Sequence, residues 1–199
     1  MALAWVILLF SDSDWAGDKN DRRSVGGYMI FLNGVLICWR SKSQKVVSLS
    51  SSEAEFYACS EAVKEIPFVI QILEFMGIEV EKPVEVMVDN VGAIYMSQNQ
   101  VSSSRTRHMD TRYHYVNDIQ DDGVIKVEFV RSEENLGDGF TKNVSGDIYG
   151  RHVGTYMSNK DEIGALASTT GMDSTVNRKG VAMCIDRSLD SSPVEDLTA

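Results

Sequence analysis

Residues 27–39 decide the fold: they read Gly-Tyr-Met-Ile-Phe-Leu-Asn-Gly-Val-Leu-Ile-Cys-Trp, with two apolar runs on either side of Asn33-Gly34. Asn-Gly suits a two-residue turn in which both central residues take positive φ angles. The flanking runs, Gly27–Leu32 and Val35–Trp39, are rich in the aromatic and β-branched residues typical of strands. We therefore predict a tight antiparallel hairpin at this point.

The segments on both sides of the hairpin predict a mixed sheet covered by helices. Residues Ala4–Phe10 form a continuous apolar run that suits a buried strand. After the hairpin, helical and strand patterns alternate, which favours an α/β architecture over an all-β one. The predicted elements are a helix from Ser50–Ser52 to about Ile66, a second helical segment at Pro67 that ends at Gly77, a strand Val84–Val88, a helix Asn90–Ser97, a helix Asp110–Asp121, a strand Val124–Val130 and a last helix from near Asn135.

Composition divides the chain near residue 143. Residues 1–143 hold all three Trp and nearly every periodic apolar pattern, so we predict one folded domain there. Residues 144–199 are rich in Ser, Thr, Gly, Asp and Asn, with one weak helical stretch at Ile148–Met157. We predict that the remainder of this C-terminal tail is poorly ordered, because it has too little apolar surface to offset its ordering entropy.

The chain is acidic, with 29 Asp and Glu against 19 Lys and Arg among 199 residues and a net charge of -10. This acidity argues against a protein that binds nucleic acid through an overall positive charge. No apolar run approaches the roughly 18 residues of a membrane span, so no membrane partner is expected. Cys38, Cys59 and Cys184 fit neither a disulfide framework nor a zinc site, which favours a reducing, intracellular location.

Four carboxylates do not follow a surface pattern. Asp12 and Asp89 each follow an apolar strand, and strand ends are where ligands gather in α/β sheets. Either of them could instead cap a turn or a helix. Glu55 shares a helix face with small apolar residues, where an unpaired charge is costly. Asp138 follows the last strand between two glycines, and a loop or N-cap role is equally compatible with that position.

Four converging carboxylates would repel one another unless they hold cations. Oxygen ligands favour Mg²⁺ or Mn²⁺ over zinc. A pair of such ions is suited to in-line displacement at phosphorus, so the pattern supports a phosphodiester hydrolase.

Five blocks of sequence resemble the RNase H domain of copia-type LTR retrotransposons, which lies at the C-terminal end of the Pol polyprotein. They occur in the family's order over roughly residues 8–143. The blocks are Ser11–Asp18 with Arg22–Ser24 and Gly27-Tyr28; Ser50–Ala58; Val88–Asn90 with Ala93-Ile94; Arg105–Asp110 with Tyr113-His114; and Asn135–Lys142.

This resemblance implies an RNase H-like fold, a five-stranded mixed sheet flanked by helices, with a four-carboxylate site that uses two Mg²⁺ ions, for which Mn²⁺ can substitute. Position by position, the four residues are Asp12, Glu55, Asp89 and Asp138; Asp14 and Glu53 are less favoured candidates. The implied reaction is hydrolysis of the RNA strand of an RNA–DNA hybrid during reverse transcription. The implied partners are that hybrid and a reverse transcriptase domain that this sequence does not contain. The implied location is the cytoplasm, in a virus-like particle, or the nucleus.

The substrate contacts are predicted from polar and basic residues near these motifs. Phosphates of the hybrid would be contacted by basic clusters, including Arg40-Lys42-Lys45 and Arg105-Arg107-Arg112. Trp15 and Trp39 are expected in the core. The candidate residues for substrate binding are Arg22, Arg23, Ser51, Asn90, Arg105, Arg107 and His108.

Two features depart from the family pattern and keep alternatives open. Gly137 and Gly139 stand where the family usually has alanine and isoleucine, and we expect them to loosen the segment that carries Asp138. The alternative to an enzyme is a catalytically weak nucleic-acid-binding remnant of a retroelement. Another nuclease of the same fold, such as an integrase or a resolvase, is disfavoured by the order Asp, Glu, Asp, Asp.

Overall fold

Five strands form a single mixed sheet in the computed structural model, which describes residues 4–98 and 110–156. The sheet order is β3-β2-β1-β4-β5. β1 pairs antiparallel with β2, and β2 with β3, whereas β4 is parallel to both β1 and β5. This is the predicted RNase H-like arrangement. The strands are β1 Ile7–Ser13, β2 Val25–Leu32, β3 Val35–Ser43, β4 Val84–Val88 and β5 Ile125–Phe129.

The Asn33-Gly34 hairpin is confirmed and joins β2 to β3. Asn33 has φ 48° and Gly34 has φ 79°, which is the double positive φ that this tight turn requires. Leu32 pairs with Val35 across the turn, and the register shifts between Ile30 and Phe31. Both strands extend beyond the predicted runs, because Val25 and Gly26 still pair with Ser43 and Lys42.

Five α-helices are described, and none of them is long and apolar enough to cross a membrane. Ser50 caps α1: its side chain accepts a hydrogen bond from the Glu53 N–H at 3.2 Å. Pro67 lies in the first turn of α2, where its missing N–H has no consequence. α2 ends before Gly77, whose φ is 75°. The helices are α1 Ser51–Val63, α2 Ile66–Phe75, α3 Val91–Gln98, α4 Asp110–Asp121 and α5 Gly146–Tyr156.

Two apolar clusters lie on opposite faces of the sheet. The larger one includes Ile7 and Leu9 of β1 and packs against Phe56 of α1. The smaller one includes Phe10 of β1 and Leu136. Because successive residues of a strand point to opposite faces, Asp12 lies on the face of Phe10. The sheet therefore presents Asp12 between the helices and the segment after β5.

Three predicted boundaries differ from the structure. β1 begins at Ile7 instead of Ala4 and continues to Ser13, so Asp12 lies within the strand and not after it. The segment after β5 forms short 3₁₀ turns, Ser132–Glu134 and Leu136–Phe140, instead of an α-helix from Asn135. The weak helix predicted at Ile148–Met157 corresponds to α5, and its last residue lies outside the described residues. The division into 1–143 and a tail stays a prediction.

Candidate active site

Strand register brings Asp12 and Asp89 together. Ser11 of β1 pairs with Val88 of β4 in a parallel ladder. One residue further along each chain are Asp12, which is fully buried, and Asp89, which is half-buried. Parallel strands end at the same edge of a sheet, so the two carboxylates meet there.

Glu55 reaches the same point from the first turns of α1. As predicted, Glu55 shares its helix face with the small residues Ala58, Cys59 and Ala62, which are all buried. Glu55 itself is only 6% exposed. One carboxylate oxygen from each of Asp12, Glu55 and Asp89 lies within 4.8 Å of the other two. The structure thus brings together three of the four predicted carboxylates.

Asp138 is presented by the 3₁₀ turn Leu136–Phe140, which Asn135 fixes to β1. The Asn135 side chain donates to the Ser11 carbonyl at 3.0 Å and accepts from the Gly137 N–H at 3.0 Å. Asn135 is fully buried, and its role in anchoring this turn was not predicted from the sequence. The signal available in the sequence was an Asn immediately before a Leu-Gly-Asp run, a position typical of a cap. Gly137 permits close approach, because a Cβ there would lie 3.1 Å from the Asp12 Cβ.

Lys142 is the cation of the site. Its Nζ lies 2.8 Å from Asp138 Oδ1 and 3.3 Å from Asp12 Oδ1. Thr141, the preceding residue, donates a hydrogen bond to Asp12 Oδ2. Asp138 is therefore joined to Asp12 both directly, by a hydrogen bond between the two carboxyl groups, and through Lys142. It does not belong to the group of three carboxylates, Asp12, Glu55 and Asp89, whose oxygens lie within 4.8 Å of one another.

The environment of the site raises the pKa of two of its carboxyl groups, Glu55 and Asp138. Burial, together with the charges of Asp12 and Asp89, raises the pKa of Glu55 to about 10. Burial likewise raises the pKa of Asp138 to about 7, and the Lys142 ammonium opposes this shift. The pKa of Lys142 is raised in turn by Asp138 and Asp12, against the effect of burial. Carboxyls in this state accept a divalent cation in place of a proton.

The donor set fits a magnesium-type ion. Asp12, Glu55 and Asp89 offer only oxygen ligands, as Mg²⁺ and Mn²⁺ prefer. Glu55 Oε2 is buried and has no hydrogen-bond partner in the described part of the chain. A buried carboxylate oxygen without a partner is costly, and a metal ion would satisfy it. Asp138 is paired with Lys142 instead.

Asp14 and Glu53, the less favoured candidates, make local capping contacts. Asp14 Oδ1 accepts from the Val25 N–H at the start of β2. Glu53 Oε2 accepts from the Leu49 N–H at 2.7 Å, which completes a capping box with Ser50. Neither belongs to the group of carboxylates that could share an ion.

Two candidate substrate contacts, Ser51 and Asn90, lie at the starts of helices: the first is exposed, and the second is used as a helix cap. Ser51 is exposed at the first position of α1. Asn90 caps α3: its Oδ1 accepts from the Ala93 N–H and from the Ser52 hydroxyl, both at 3.0 Å. The helix starts approach closely here, because a Cβ on Gly92 would lie 2.3 Å from the Ser52 Oγ.

The basic candidates that the structure describes, Arg22 and Arg23, form no ion pair with the carboxylates of the site. Arg22 and Arg23 are exposed in the loop between β1 and β2, and Arg23 pairs with Asp21 at 3.4 Å. Arg105, Arg107 and His108 lie outside the described residues. Their predicted contacts with the substrate stay predictions.

One further prediction about a side chain needs correction. Trp15 is 55% exposed and not in the core, because it sits in the loop after β1 with its Nε1 donating to the Ser48 carbonyl at 3.2 Å. Arg112 pairs with Glu61 and lies 3.9 Å from the ring centre of Tyr57, and its contact with a phosphate stays a prediction. Trp39 packs, half-buried, against the smaller apolar cluster.

Comparison with known proteins identifies the chain's relatives. No family model matches it. Over 136 residues it is 38% identical to the retrovirus-related Pol polyprotein from transposon RE1 of Arabidopsis thaliana, an alignment of 68% of this chain and 9% of the polyprotein. Over 135 residues it is 38% identical to the corresponding polyprotein from transposon TNT 1-94 of Nicotiana tabacum, covering 68% of this chain and 10% of that one. The chain is a relative of copia-type retrotransposon Pol polyproteins.

This Pol relative spans about a tenth of the length of the curated polyproteins that it matches. A solved structure of LC11-RNase H1, in complex with an RNA/DNA hybrid, is 16% identical to the Pol relative, with a TM-score of 0.49 over 68% of this chain and 93% of that one.

Proposed function

We propose that the chain is a metal-dependent ribonuclease H that cleaves the RNA strand of RNA–DNA hybrids. The observation that carries this proposal is the convergence of Asp12, Glu55 and Asp89, whose oxygens lie within 4.8 Å of one another. They come from distant parts of the chain, and two of them are buried. Concentrating like charges in the interior of a fold is costly, and a bound divalent cation would offset that cost.

The residues of the site have separate tasks in this reaction. Asp12, Glu55 and Asp89 would hold the ions, and Asp138 would join them after release from Lys142. Bound Mg²⁺ would lower the pKa of the attacking water and stabilise the leaving 3′ oxygen. Glu55 loses its proton when an ion binds, so that proton is not available for the chemistry.

The substrate class follows from the family and from the exposed polar groups beside the site. The relatives are retrovirus-related Pol polyproteins, and we propose that the chain removes template RNA during reverse transcription, as its motifs imply. Ser51 is exposed at the start of α1, within one helical turn of Glu55. Its hydroxyl can contact a 2′-OH, the group that distinguishes RNA from DNA. We propose a reverse transcriptase domain as the protein partner.

A cleavage assay with a matched pair of variants tests this function. The substrate is a labelled RNA–DNA hybrid, incubated with Mg²⁺ or with Mn²⁺. We expect Asp89→Asn to lower the rate by roughly 100-fold or more, because it removes a ligand charge. Asp118→Asn, the same change at an exposed position of α4, should leave the rate unchanged. Uncut hybrid, or equal cutting by wild type and Asp89→Asn, would instead favour the catalytically weak remnant.

A further inference from the structure

A second concave site lies beside α1, on the side toward β3. It is a small, open cleft of about 40 Å³ between the hairpin strands and α1. Its lining includes the cations Arg40, Lys42 and Lys45, together with the rings of Tyr28 and Tyr57. The carboxylates of the candidate active site do not line it. We call it the basic cleft.

The cations of the basic cleft are not neutralised by the described part of the chain. No ion pair there involves Arg40, Lys42 or Lys45. The only acidic residue of the lining is Glu61, and it is already paired with Lys64 at 2.7 Å and with Arg112. In a chain of net charge -10, a cleft with three available cations is a local exception.

Buried polar groups fix the shape of the basic cleft. Gln44 is 3% exposed; its Nε2 donates to the Ser13 hydroxyl at 3.0 Å and to the Ala54 carbonyl at 2.9 Å. These bonds tie the residue between Lys42 and Lys45 to both β1 and α1. The Tyr28 hydroxyl forms a hydrogen bond with the Arg40 side chain, which fixes this cation at the wall of the cleft. The cleft is therefore preorganised for an acceptor that carries negative charge.

The basic cleft lies at the catalytic end of the sheet. Ser13 of β1 pairs with Gly26 of β2, and Gly26 pairs with Lys42 of β3. Lys42 is thus two strand spacings from the residue after Asp12, roughly 10 Å away. A nucleic acid held at the carboxylates extends past this point.

We propose that the basic cleft binds a backbone phosphate of the nucleic acid substrate, through Arg40, Lys42 and Lys45. This inference rests on the proposed function. It assigns to the cleft a contact that positions the duplex without reading its sequence.

Salt-dependent binding of a hybrid tests the proposal. The probe is a synthetic RNA–DNA hybrid, bound in Mg²⁺ by the full chain carrying Asp89→Asn, which keeps the substrate intact. We expect Lys42→Gln combined with Lys45→Gln to weaken binding roughly tenfold at moderate salt. The slope of log affinity against log salt should fall by about 2, or about 1 for each lysine. Duplex DNA should lose affinity by a similar factor, since a phosphate contact is insensitive to sequence.

The matched control is Lys82→Gln combined with Lys126→Gln. It removes the same charge from lysines that pair with Glu74 and Glu128, outside the cleft. It should retain the wild-type slope. The cleft proposal is overturned if both double variants change the slope equally, or if neither does, while wild type still cleaves the hybrid. In that case the proposed function stands, and an acidic protein partner would be the better occupant of the cleft. If wild type neither binds nor cleaves the hybrid, the proposed function fails and the cleft proposal fails with it.

Discussion

Lys142 pairs with Asp138, the carboxylate outside the close group of three. Its ammonium contacts both Asp138 and Asp12. A metal ion bound by these carboxylates would compete with the lysine for the same oxygens. This competition explains how four carboxylates can be built into one site before any ion is bound.

Replacing Lys142 by methionine should strengthen metal binding. Lys142→Met keeps the length of the side chain and removes the competing charge, so we expect Mn²⁺ to bind roughly tenfold more tightly, within the usual range of coupling between two ligands. Calorimetric titration of the protein without nucleic acid measures this directly. Lys126→Met, an exposed lysine on β5, serves as the control. Unchanged or weaker Mn²⁺ binding in Lys142→Met would refute the competition.

Glu55 should make the stability of the metal-free protein depend on pH. Its pKa in the folded state, about 10, lies above its ordinary value of 4.5. The folded state thus binds the proton more tightly than the unfolded state does. The stabilisation is complete below about pH 4.5 and is lost as the pH rises toward 10, by at most about 1.4 kcal/mol per pH unit.

Glu55→Gln removes this titration and isolates its contribution. In metal-free buffer, the free energy of unfolding of the variant relative to wild type should increase as the pH rises from about 6 to about 9. Urea unfolding at each pH measures this difference. Added Mg²⁺ should stabilise wild type more than the variant, because an ion that binds only the folded state raises its stability. Glu85→Gln, an exposed change on β4, is the control. A stability difference that stays constant with pH would contradict the raised pKa.

At the scale of helices and strands, the local sequence predicts turns and helix caps but does not predict how far strands pair. Asn33-Gly34 is a turn whose geometry depends on its own two residues, and the prediction held. The start of α1 was equally predictable, since Ser50 and Glu53 cap it from within the same segment. In contrast, β1 extends through Ser13 because β2 pairs with it there, and no property of the residues 11–13 alone indicates that pairing.

The convergence at the site was predictable only in part. Asp12 and Asp89 follow from strand ends, and Glu55 from its helix face. Asp138 depends on a tertiary contact, the anchoring of Asn135 to the Ser11 carbonyl, 124 residues away in sequence. The same limit applies to Trp15: a tryptophan suggests core, but its position in the loop after β1 leaves it 55% exposed.

Asn135 should therefore act as a positioning residue for the 3₁₀ turn that carries Asp138. Asn135→Ala leaves the Ser11 carbonyl and the Gly137 N–H without their partner in a buried site, at a cost of about 1–3 kcal/mol. We expect a lower thermal midpoint and a lower cleavage rate at limiting Mg²⁺, part of which is restored at high Mg²⁺. Asn143→Ala, at the exposed residue directly after Lys142, is the control. Full activity of Asn135→Ala at limiting Mg²⁺ would show that the turn needs no anchor.

For the whole molecule, net charge and local charge lead to different conclusions about nucleic acid binding. The value of -10 suggested a protein unsuited to nucleic acid. The fold separates the charges: acidic residues converge at the carboxyl ends of β1 and β4, while three unpaired cations gather in the basic cleft at the same end of the sheet. Composition alone could not reveal this separation, because it arises from strand order.

The most direct test of the central claim uses one hybrid with a different label on each strand, incubated with the protein in Mg²⁺ and in a chelator. The account predicts that only the RNA strand is cut, that the products carry 3′-hydroxyl and 5′-phosphate ends, and that the chelator abolishes cutting. Cleavage of the DNA strand, cleavage in the chelator, or equal cleavage by an Asp12→Asn variant would contradict it.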